Sequence, residues 1–255
     1  MSTFVKNAWY VAAWSKEIRR KLLPRTILGE QVVLYRREDG TPAALVDRCP
    51  HKLAPLSLGE LKGDQVQCGY HGMTFDCSGT CVRVPGQQNI PPTARVRSFP
   101  LVEKYNAVWI WMGEPHLADA KKIVDVPHYG EPGWGWGLVD GQYVHFRTNY
   151  LNITDNLVDP AHTTYVHKST IGNAAAEDVG VKVEQGEDHV LAYRWIYNAS
   201  RSRWPGKWST SRALLTDVST TTCTRPRCPA WTLSPSMPAP SRPKRTRTAA
   251  CAPSA

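Results

Sequence analysis

The sequence predicts an all-β N-terminal domain, a second domain of different character and a C-terminal tail that cannot build a core. Short β-rich runs separated by turn residues continue to about residue 111. The pattern breaks around Gly113-Glu114-Pro115, and the composition changes again at Ser209. We therefore expect domains over residues 1–117 and 118–208, followed by a tail over residues 209–255.

The first third of the chain alternates β-rich runs with turn sequences. A hairpin signal, Glu38-Asp39-Gly40-Thr41, separates the runs 26–36 and 42–47. Many short strands with regular turns favour a sandwich or a small barrel with its loops at the ends. The further runs expected to form strands are 65–67, 73–76, 80–84 and 108–111.

Two Cys/His pairs occupy the loops of this domain. Cys49 and His51 form the first pair, and Cys68 and His71 form the second after sixteen intervening residues. In a Rieske [2Fe-2S] cluster two thiolates hold one iron and two imidazoles hold the other. Replacing thiolate by imidazole raises the reduction potential to roughly −150 to +300 mV, against about −400 mV for plant-type clusters. The pattern therefore predicts a Rieske cluster bound by these four side chains.

A tetrahedral zinc site is the alternative for a Cys2His2 set. Zinc modules commonly pair Cys with Cys and His with His, whereas each pair here contains one of each. Cys77 and Cys81 follow the second pair but lack further ligands nearby in the sequence, so we expect them to be turn or core thiols. The mixed pairs favour the Rieske cluster over zinc.

Composition and charge restrict the class of protein. The chain has 255 residues, a formal net charge of +9 and seven cysteines, too few for a disulfide framework beside a cluster. Residues 1–200 are neutral overall, so the excess positive charge lies in residues 201–255 and does not indicate a nucleic-acid-binding domain. Neither a signal peptide nor a membrane-spanning apolar run is evident, and we expect a cytoplasmic protein.

The tail has a composition of its own. Residues 209–255 contain seven prolines, no glycine, one aromatic residue and one acidic residue, Asp217. Such a segment buries too little apolar surface to offset its conformational entropy, and we expect it to be disordered. Two interpretations remain open. The segment is either a basic tail that contacts an acidic partner or nucleic acid, or a non-native segment read in a shifted frame, and we favour the second.

A second group of polar residues lies about ninety residues after the cluster motif. On a continuous helix Asp155, Asp159 and His162 would share one face, while His167 would lie some 140° from His162. Pro160 makes an interruption of that helix before His167 plausible. Two imidazoles converging with a carboxylate can bind a mononuclear non-haem Fe(II) and leave positions open for O2 and substrate. The sequence therefore predicts an iron site that includes His162 and His167.

Together these motifs resemble the Rieske non-haem iron oxygenases, over residues 4 to about 200. Within that family the chain looks most like the oxygenase components of vanillate O-demethylase and of its dicamba demethylase relatives. The stretches that carry the resemblance are residues 6–12, 49–51, 54–57, 68–72, 155–159, 162 and 165–167.

The resemblance implies a Rieske β-domain followed by an α+β catalytic domain with an antiparallel sheet, of which this chain holds a part. It implies a homotrimer in which His51 or His71 approaches Asp159 of the next subunit, so that Asp159 is an electron bridge and not an iron ligand. Asn156 would orient substrate or water near the iron, although a helix-capping role is equally open.

The implied reaction is oxidative O-demethylation of a methoxylated aromatic acid such as vanillate. A flavin and iron-sulfur reductase would pass electrons from NAD(P)H to the cluster and on to the iron, where O2 reacts. Hydroxylation of the methyl group then releases formaldehyde and a phenol.

The chain departs from the family at the third iron ligand, a carboxylate that relatives supply far downstream. Only Asp217 is acidic after residue 200. We therefore expect a C-terminally truncated oxygenase with an electron-accepting cluster and little turnover. The alternatives are a Rieske electron-transfer protein without oxygenase activity and a zinc-dependent nucleic-acid-binding protein.

Overall fold

A computed structural model describes residues 4–125, 143–169, 172, 174–186, 190–195, 219–222 and 233–234. For residues 191, 219–222 and 233–234 only the backbone is described. The chain divides into two compact units, and the second begins at Thr148. Because residues 126–142 lie outside the described part, the domain limits at residues 117 and 208 stay predictions.

Three antiparallel sheets make up the first unit. The first has the order β1-β10-β9, the second β2-β3-β4, and the third β5-β6-β7-β8. Their hydrophobic faces form the buried clusters of this unit. The strands are β1 (Ala8–Trp14), β2 (Leu23–Ile27), β3 (Glu30–Arg36), β4 (Pro42–Val46), β5 (Glu60–Lys62), β6 (Gln65–Gln67), β7 (Thr74–Phe75), β8 (Cys81–Arg83), β9 (Leu101–Lys104) and β10 (Ala107–Met112).

The run 26–36 contains two strands, not one. Strand β2 ends at Ile27 and β3 starts at Glu30, with Ile27 opposite Glu30 in the antiparallel register. Between them Leu28 and Gly29 both have positive φ, 50° and 78°, the conformation of a tight two-residue hairpin. A single Gly inside a long β-rich run marked this turn, and the apolar residues on both sides obscured it.

The hairpin signal at residues 38–41 is confirmed. Strands β3 and β4 pair with Arg36 opposite Pro42. The Arg37 N–H donates to the Thr41 carbonyl at 2.8 Å, and Gly40 has a φ of 84°. The first cluster loop follows β4, the second strand of this hairpin.

Aromatic residues pair across β1 and β10. Trp9 lies opposite Trp111, and their ring centroids are 5.4 Å apart in an edge-to-face arrangement. Trp9, Trp109 and Trp111 are at most 5% exposed, so these tryptophans belong to the core. Cys81 is buried in a separate cluster with Val66 and Phe75, and Cys77 packs against that cluster, as expected for structural thiols.

The second unit combines short helices with an antiparallel sheet. Its helices are α1 (Tyr150–Val158) and α2 (Thr163–Val166). Its sheet has the order β11-β12-β13-β14, formed by Lys182–Gln185, Val190–Tyr193, Ser219–Thr222 and Leu233–Ser234. Strands β13 and β14 lie within residues 209–255, which we expected to be disordered. These short strands form because the β-branched run Thr220-Thr221-Thr222 suits pairing between neighbouring strands. Most of residues 209–255 lie outside the described residues.

Among the helices that the structure describes, none has the length and apolar character needed to cross a bilayer.

Candidate metal centres

The two thiols of the predicted cluster are buried side by side. Cys49 and Cys68 are 2% and 3% exposed. Burial raises the pKa of the Cys49 thiol, a backbone hydrogen bond from His51 lowers it, and hydrogen bonding with the Cys68 thiol raises it again. Because cysteine binds iron as the thiolate and not as the thiol, cluster insertion must release protons from this pair.

The two imidazoles lie together at the surface. His51 and His71 are exposed, and their ring centroids are 4.7 Å apart at an angle of 62°. The ring of Tyr70, itself 64% exposed, stacks on His71 with a centroid separation of 3.9 Å. The site therefore has a buried thiol side and an accessible imidazole side.

The same backbone pattern closes both loops. The N–H of each cysteine donates to the carbonyl five residues on, Cys49 to Ala54 and Cys68 to Met73, both at 2.8 Å. The residue four positions after each cysteine, Leu53 or Gly72, donates back to the cysteine carbonyl. This repeated arrangement turns each loop tightly around its thiol.

A close backbone approach holds the loops against one another. A Cβ on Gly59 would lie 2.0 Å from the Gln67 carbonyl oxygen and 3.0 Å from the Gly69 nitrogen. Gly59 ends the first loop and Gly69 follows the second cysteine. Only hydrogen at Gly59 permits this contact, so that position helps to bring the two thiols together.

A buried carboxylate braces the first loop. Asp47 is 4% exposed and accepts two hydrogen bonds from Ser57, from its N–H and from its hydroxyl, both at 2.6 Å. The bridge joins the two ends of the segment that contains Cys49 and His51. Sequence reasoning missed Asp47, because a single acid after a strand carries no distinctive signal.

The four predicted cluster ligands form two separate pairs, one of thiols and one of imidazoles, and do not surround a single metal position. The Cys, His, Asp and Glu side chains that the structure describes form no group of three or more suited to holding a metal ion. A tetrahedral zinc needs four ligands around one centre. A Rieske cluster needs two thiolates at one iron and two imidazoles at the other, and the buried Cys pair and exposed His pair fit that donor set.

A second pair of imidazoles flanks the one-turn helix α2. His162 immediately precedes Thr163 and His167 immediately follows Val166. Their ring centroids are 5.3 Å apart at an angle of 65°. The structure thus brings together the two histidines predicted to bind iron.

The prediction that Asp155, Asp159 and His162 share one face of a continuous helix is wrong. Helix α1 ends at Val158, and Asp159 has extended backbone angles, φ −93° and ψ 90°. Pro160 starts a new turn that includes His162, since a proline cannot continue the helical hydrogen bonding. The interruption predicted at Pro160 therefore precedes His162 as well as His167.

Asp159 keeps an exposed carboxylate beside His162. One carboxylate oxygen accepts from the Ala161 N–H at 2.9 Å, and the other lies 3.9 Å from His162 Nδ1. The side chain is 56% exposed. The His162 ring also contacts the Asp159 carbonyl oxygen.

Asn156 lies inside α1 on an exposed position and does not cap the helix. The N-cap is Asn149, whose side chain accepts from the Leu151 N–H at 3.0 Å. A further residue that the sequence did not indicate is Arg194, which is buried against α2.

Two family models match the chain. Residues 8–100 match the Rieske [2Fe-2S] domain, and residues 146–244 match the vanillate O-demethylase oxygenase C-terminal domain. The first unit is therefore a Rieske [2Fe-2S] domain, and the cluster is its cofactor. With this pair of domains the chain belongs to the Rieske non-haem iron oxygenases, and it resembles the oxygenase components of vanillate and dicamba O-demethylases.

Individual relatives agree with this assignment. The toluene-4-sulfonate monooxygenase system iron-sulfur subunit of Comamonas testosteroni is 42% identical over 203 residues, 78% of this chain and 58% of that protein. The dicamba O-demethylase oxygenase component of Stenotrophomonas maltophilia is 44% identical over 191 residues, 74% of this chain and 56% of that protein. The crystal structure of dicamba monooxygenase bound to dicamba matches with a TM-score of 0.71 at 42% identity, covering 78% of this chain and 59% of that one. This chain thus spans less than two thirds of the length of these relatives.

Proposed function

We propose that this protein is the oxygenase component of a Rieske monooxygenase that uses NAD(P)H and O2 to demethylate a methoxylated aromatic acid such as vanillate. The observation that carries the proposal is the pair His162 and His167 at the two ends of one helical turn, in a chain that also contains a Rieske domain. A Rieske domain supplies electrons, and a pair of imidazoles on a separate unit can hold the metal that uses them.

In the Rieske domain we assign Cys49 and Cys68 to one iron and His51 and His71 to the other. When bound, the cluster supplies one-electron transfer at a potential raised by the imidazole ligands. The buried thiols exclude water from one side of the site. The exposed imidazoles lie where a redox partner can approach them.

In the second unit we assign His162 and His167 to a mononuclear Fe(II), which supplies oxygen activation when bound. Such a site has three protein ligands, the third being a carboxylate in this type of centre, and the described residues place no such carboxylate together with the two histidines. Asp159 is assigned as an electron bridge between subunits, supported by its exposure and its 3.9 Å distance from the His162 ring. Asn156 is assigned to the orientation of substrate or water, and its exposed position within α1 is compatible with that role.

The proposed partners are a flavin and iron-sulfur reductase, an aromatic acid, O2 and two further copies of the chain in a homotrimer. The relatives support a separate reductase, because they are described as an oxygenase component and as a subunit of a monooxygenase system. The overall reaction uses one O2, two electrons and two protons for each methyl group, and it yields formaldehyde, the demethylated phenol and water.

A second candidate is a Rieske electron-transfer protein without oxygenase turnover. One observation favours it: the described residues include all four predicted cluster ligands, as a buried thiol pair and an exposed imidazole pair, whereas the described part of the second unit offers two histidines without a converging carboxylate. The two candidates differ in whether electrons taken from a reductase reach a substrate.

The test uses the full 255-residue chain, loaded anaerobically with its cluster and with Fe(II), together with NADH and the reductase of a vanillate O-demethylase. Vanillate, dicamba and toluene-4-sulfonate are supplied separately, and formaldehyde, hydroxylated product and NADH consumption are measured. Formaldehyde matched to NADH use, even at the low turnover that we expect from the sequence, supports demethylation. Reduction of the cluster without product in any substrate arm supports the electron-transfer candidate and contradicts the oxygenase proposal.

Two variants separate the centres in this experiment. His162→Ala is expected to keep a reducible cluster and to lose product formation, because only the mononuclear site is altered. Cys68→Ser is expected to lose the cluster itself. Equal product formation by His162→Ala and the unaltered chain would contradict the assignment of His162 to iron.

A further inference from the structure

The buried polar side chains of this protein gather around the two candidate metal centres. Within the described residues they are Asp47, Thr74, Thr164 and Arg194. Asp47 braces the first cluster loop, and the Thr74 hydroxyl donates to the Gly72 carbonyl in the second. Thr164 belongs to α2, and Arg194 hydrogen-bonds to that helix. Since burying polar groups costs free energy unless they are hydrogen-bonded, their placement marks segments whose positions are held by specific contacts.

Arg194 links three segments of the second unit. It directly follows β12 and is 3% exposed. Its Nη1 donates to the Ala176 carbonyl at 3.1 Å, and its Nη2 donates to Thr163 Oγ1 at 2.7 Å and to Thr164 Oγ1 at 3.4 Å. The rigid guanidinium fork therefore ties the first turn of α2 to the sheet and to the segment around Ala176.

The contact to Thr163 continues towards Asp159. Arginine can only donate, so the Thr163 oxygen accepts from Arg194 and its hydroxyl proton is directed elsewhere. That hydroxyl donates to the Pro160 carbonyl at 2.7 Å. Arg194 thus fixes, through Thr163, the backbone between Asp159 and His162.

Helix α2 needs such an anchor. It contains four residues, far fewer than the 12–15 or so that an isolated helix requires to be marginally stable in water. Tyr165 and Val166 are 62% and 71% exposed, so half of the helix contributes little burial. The buried contacts of its first turn, Thr163 and Thr164 with Arg194, hold it in place.

We infer that Arg194 is a positioning residue that holds His162 and His167 at the spacing needed to bind iron. The inference rests on the proposed function, because it takes these two histidines as iron ligands. Arg194 acts through Thr163 and Thr164 and touches neither the metal nor the substrate. Its removal should alter the iron site and leave the Rieske cluster unchanged.

The test compares the full chain with Arg194→Met, Arg194→Lys and Thr163→Val. Arg83→Met, which removes an exposed arginine of the Rieske domain, is the matched control. Fe(II) alone is the probe, and its affinity is measured by anaerobic equilibrium dialysis. The electron paramagnetic resonance of the nitric oxide adduct reports the geometry of the iron site. Hydrogen exchange of the amides of residues 161–167, without added iron, reports the position of α2 independently of any metal.

For Arg194→Met we expect Fe(II) affinity to fall roughly tenfold to a hundredfold, the range typical when the support of a metal ligand is removed. Exchange of residues 161–167 should accelerate, and the Rieske spectrum should not change. Arg194→Lys should recover only part of the affinity, because an ammonium lacks the planar fork. Thr163→Val should weaken binding less, and its effect should not add to that of Arg194→Met, because both break the same contact.

Unchanged affinity and exchange in Arg194→Met would overturn the inference. If Arg194→Met does not fold, Thr163→Val decides in its place, and affinity and exchange equal to the unaltered chain would overturn the inference equally. His162→Ala distinguishes a failure of the inference about Arg194 from a failure of the proposed iron site. Loss of Fe(II) by His162→Ala with normal binding by Arg194→Met contradicts the inference alone, whereas full binding by His162→Ala contradicts the proposed iron site and the inference with it.

Discussion

Leu53 and Gly72 occupy the same position in the two cluster loops, four residues after Cys49 and Cys68, and both have positive φ, 58° and 73°. Each donates its N–H to the carbonyl of its cysteine, at 2.9 Å and 3.0 Å. The loops therefore share one backbone conformation although their His residues are spaced differently, at the second and third positions after the cysteine. Glycine adopts this conformation without strain, whereas leucine does not.

Leu53→Gly is expected to leave the free energy of unfolding of the Rieske domain unchanged, or to raise it by up to about 1 kcal/mol. The leucine side chain is 62% exposed, so little burial is lost. Urea unfolding followed by cluster absorbance measures the effect. Leu58→Gly, at a 79% exposed position with ordinary backbone angles, is the control and should lower stability by about 1 kcal/mol. Equal losses in both variants would show that Leu53 is not strained.

Gly59→Ala should prevent efficient cluster assembly. The added Cβ would meet the Gln67 carbonyl oxygen at 2.0 Å, and that backbone could move only by shifting the loop that carries Cys68. Iron and acid-labile sulfide content per chain is the measurement, and we expect less than about half of the normal amount, by analogy with the large effects of overpacking. Gly180→Ala, where a Cβ would have no neighbour within 4 Å, should keep full cluster content.

Asp47→Ala should destabilise the first cluster loop by about 2 kcal/mol, because it leaves the partly buried Ser57 N–H without its acceptor. Asp47→Asn keeps one acceptor oxygen and should destabilise the loop by less than Asp47→Ala does. The rate of cluster loss on chelation by a strong iron chelator is the direct measurement. Asp39 makes the same pair of contacts with Thr41 but on an exposed turn, so Asp39→Ala should leave that rate unchanged. A faster loss in Asp39→Ala than in Asp47→Ala would refute the role of burial.

Glu103 should contribute a pH-dependent part of the stability. The hydrogen bond from Arg36 holds the pKa of Glu103 below its ordinary value. A lowered folded-state pKa gives stability that is present above the unfolded value of about 4.3 and is lost as the pH falls through the folded value. Because the pair is partly exposed, Glu103→Gln should cost no more than about 1 kcal/mol at pH 7.

Thermal unfolding of Glu103→Gln beside the unaltered chain, from pH 7 to pH 3, tests this. The difference in melting temperature should narrow as the pH falls below about 4.3. Glu114→Gln, at an exposed position, is the control and should leave the melting temperature at pH 7 close to that of the unaltered chain. If the difference in melting temperature between Glu103→Gln and the unaltered chain widened towards low pH, the predicted direction of the pH dependence would be contradicted.

The cluster ligands could be predicted from the sequence because the information is local. Cys49 and His51, and likewise Cys68 and His71, are neighbours in the chain, and each pair contains one donor of each type that a Rieske cluster requires. The hairpin at residues 38–41 was equally readable from its Asp-Gly turn. The division of residues 26–36 into two strands could not be predicted, because the turn is marked by a single glycine within a long β-rich run.

The sequence by itself identified the four candidate ligands of the cluster, two candidate histidine ligands of the iron and the helix break at Pro160, since chain chemistry and proline geometry act over a few residues. Only the tertiary structure decided what holds those donors in place. Asp47 reaches Ser57, Gly59 meets Gln67, and Arg194 reaches Thr163 from thirty-one residues away. These contacts depend on how strands and loops pack, and packing brings together residues whose separation in the chain carries no periodic signal.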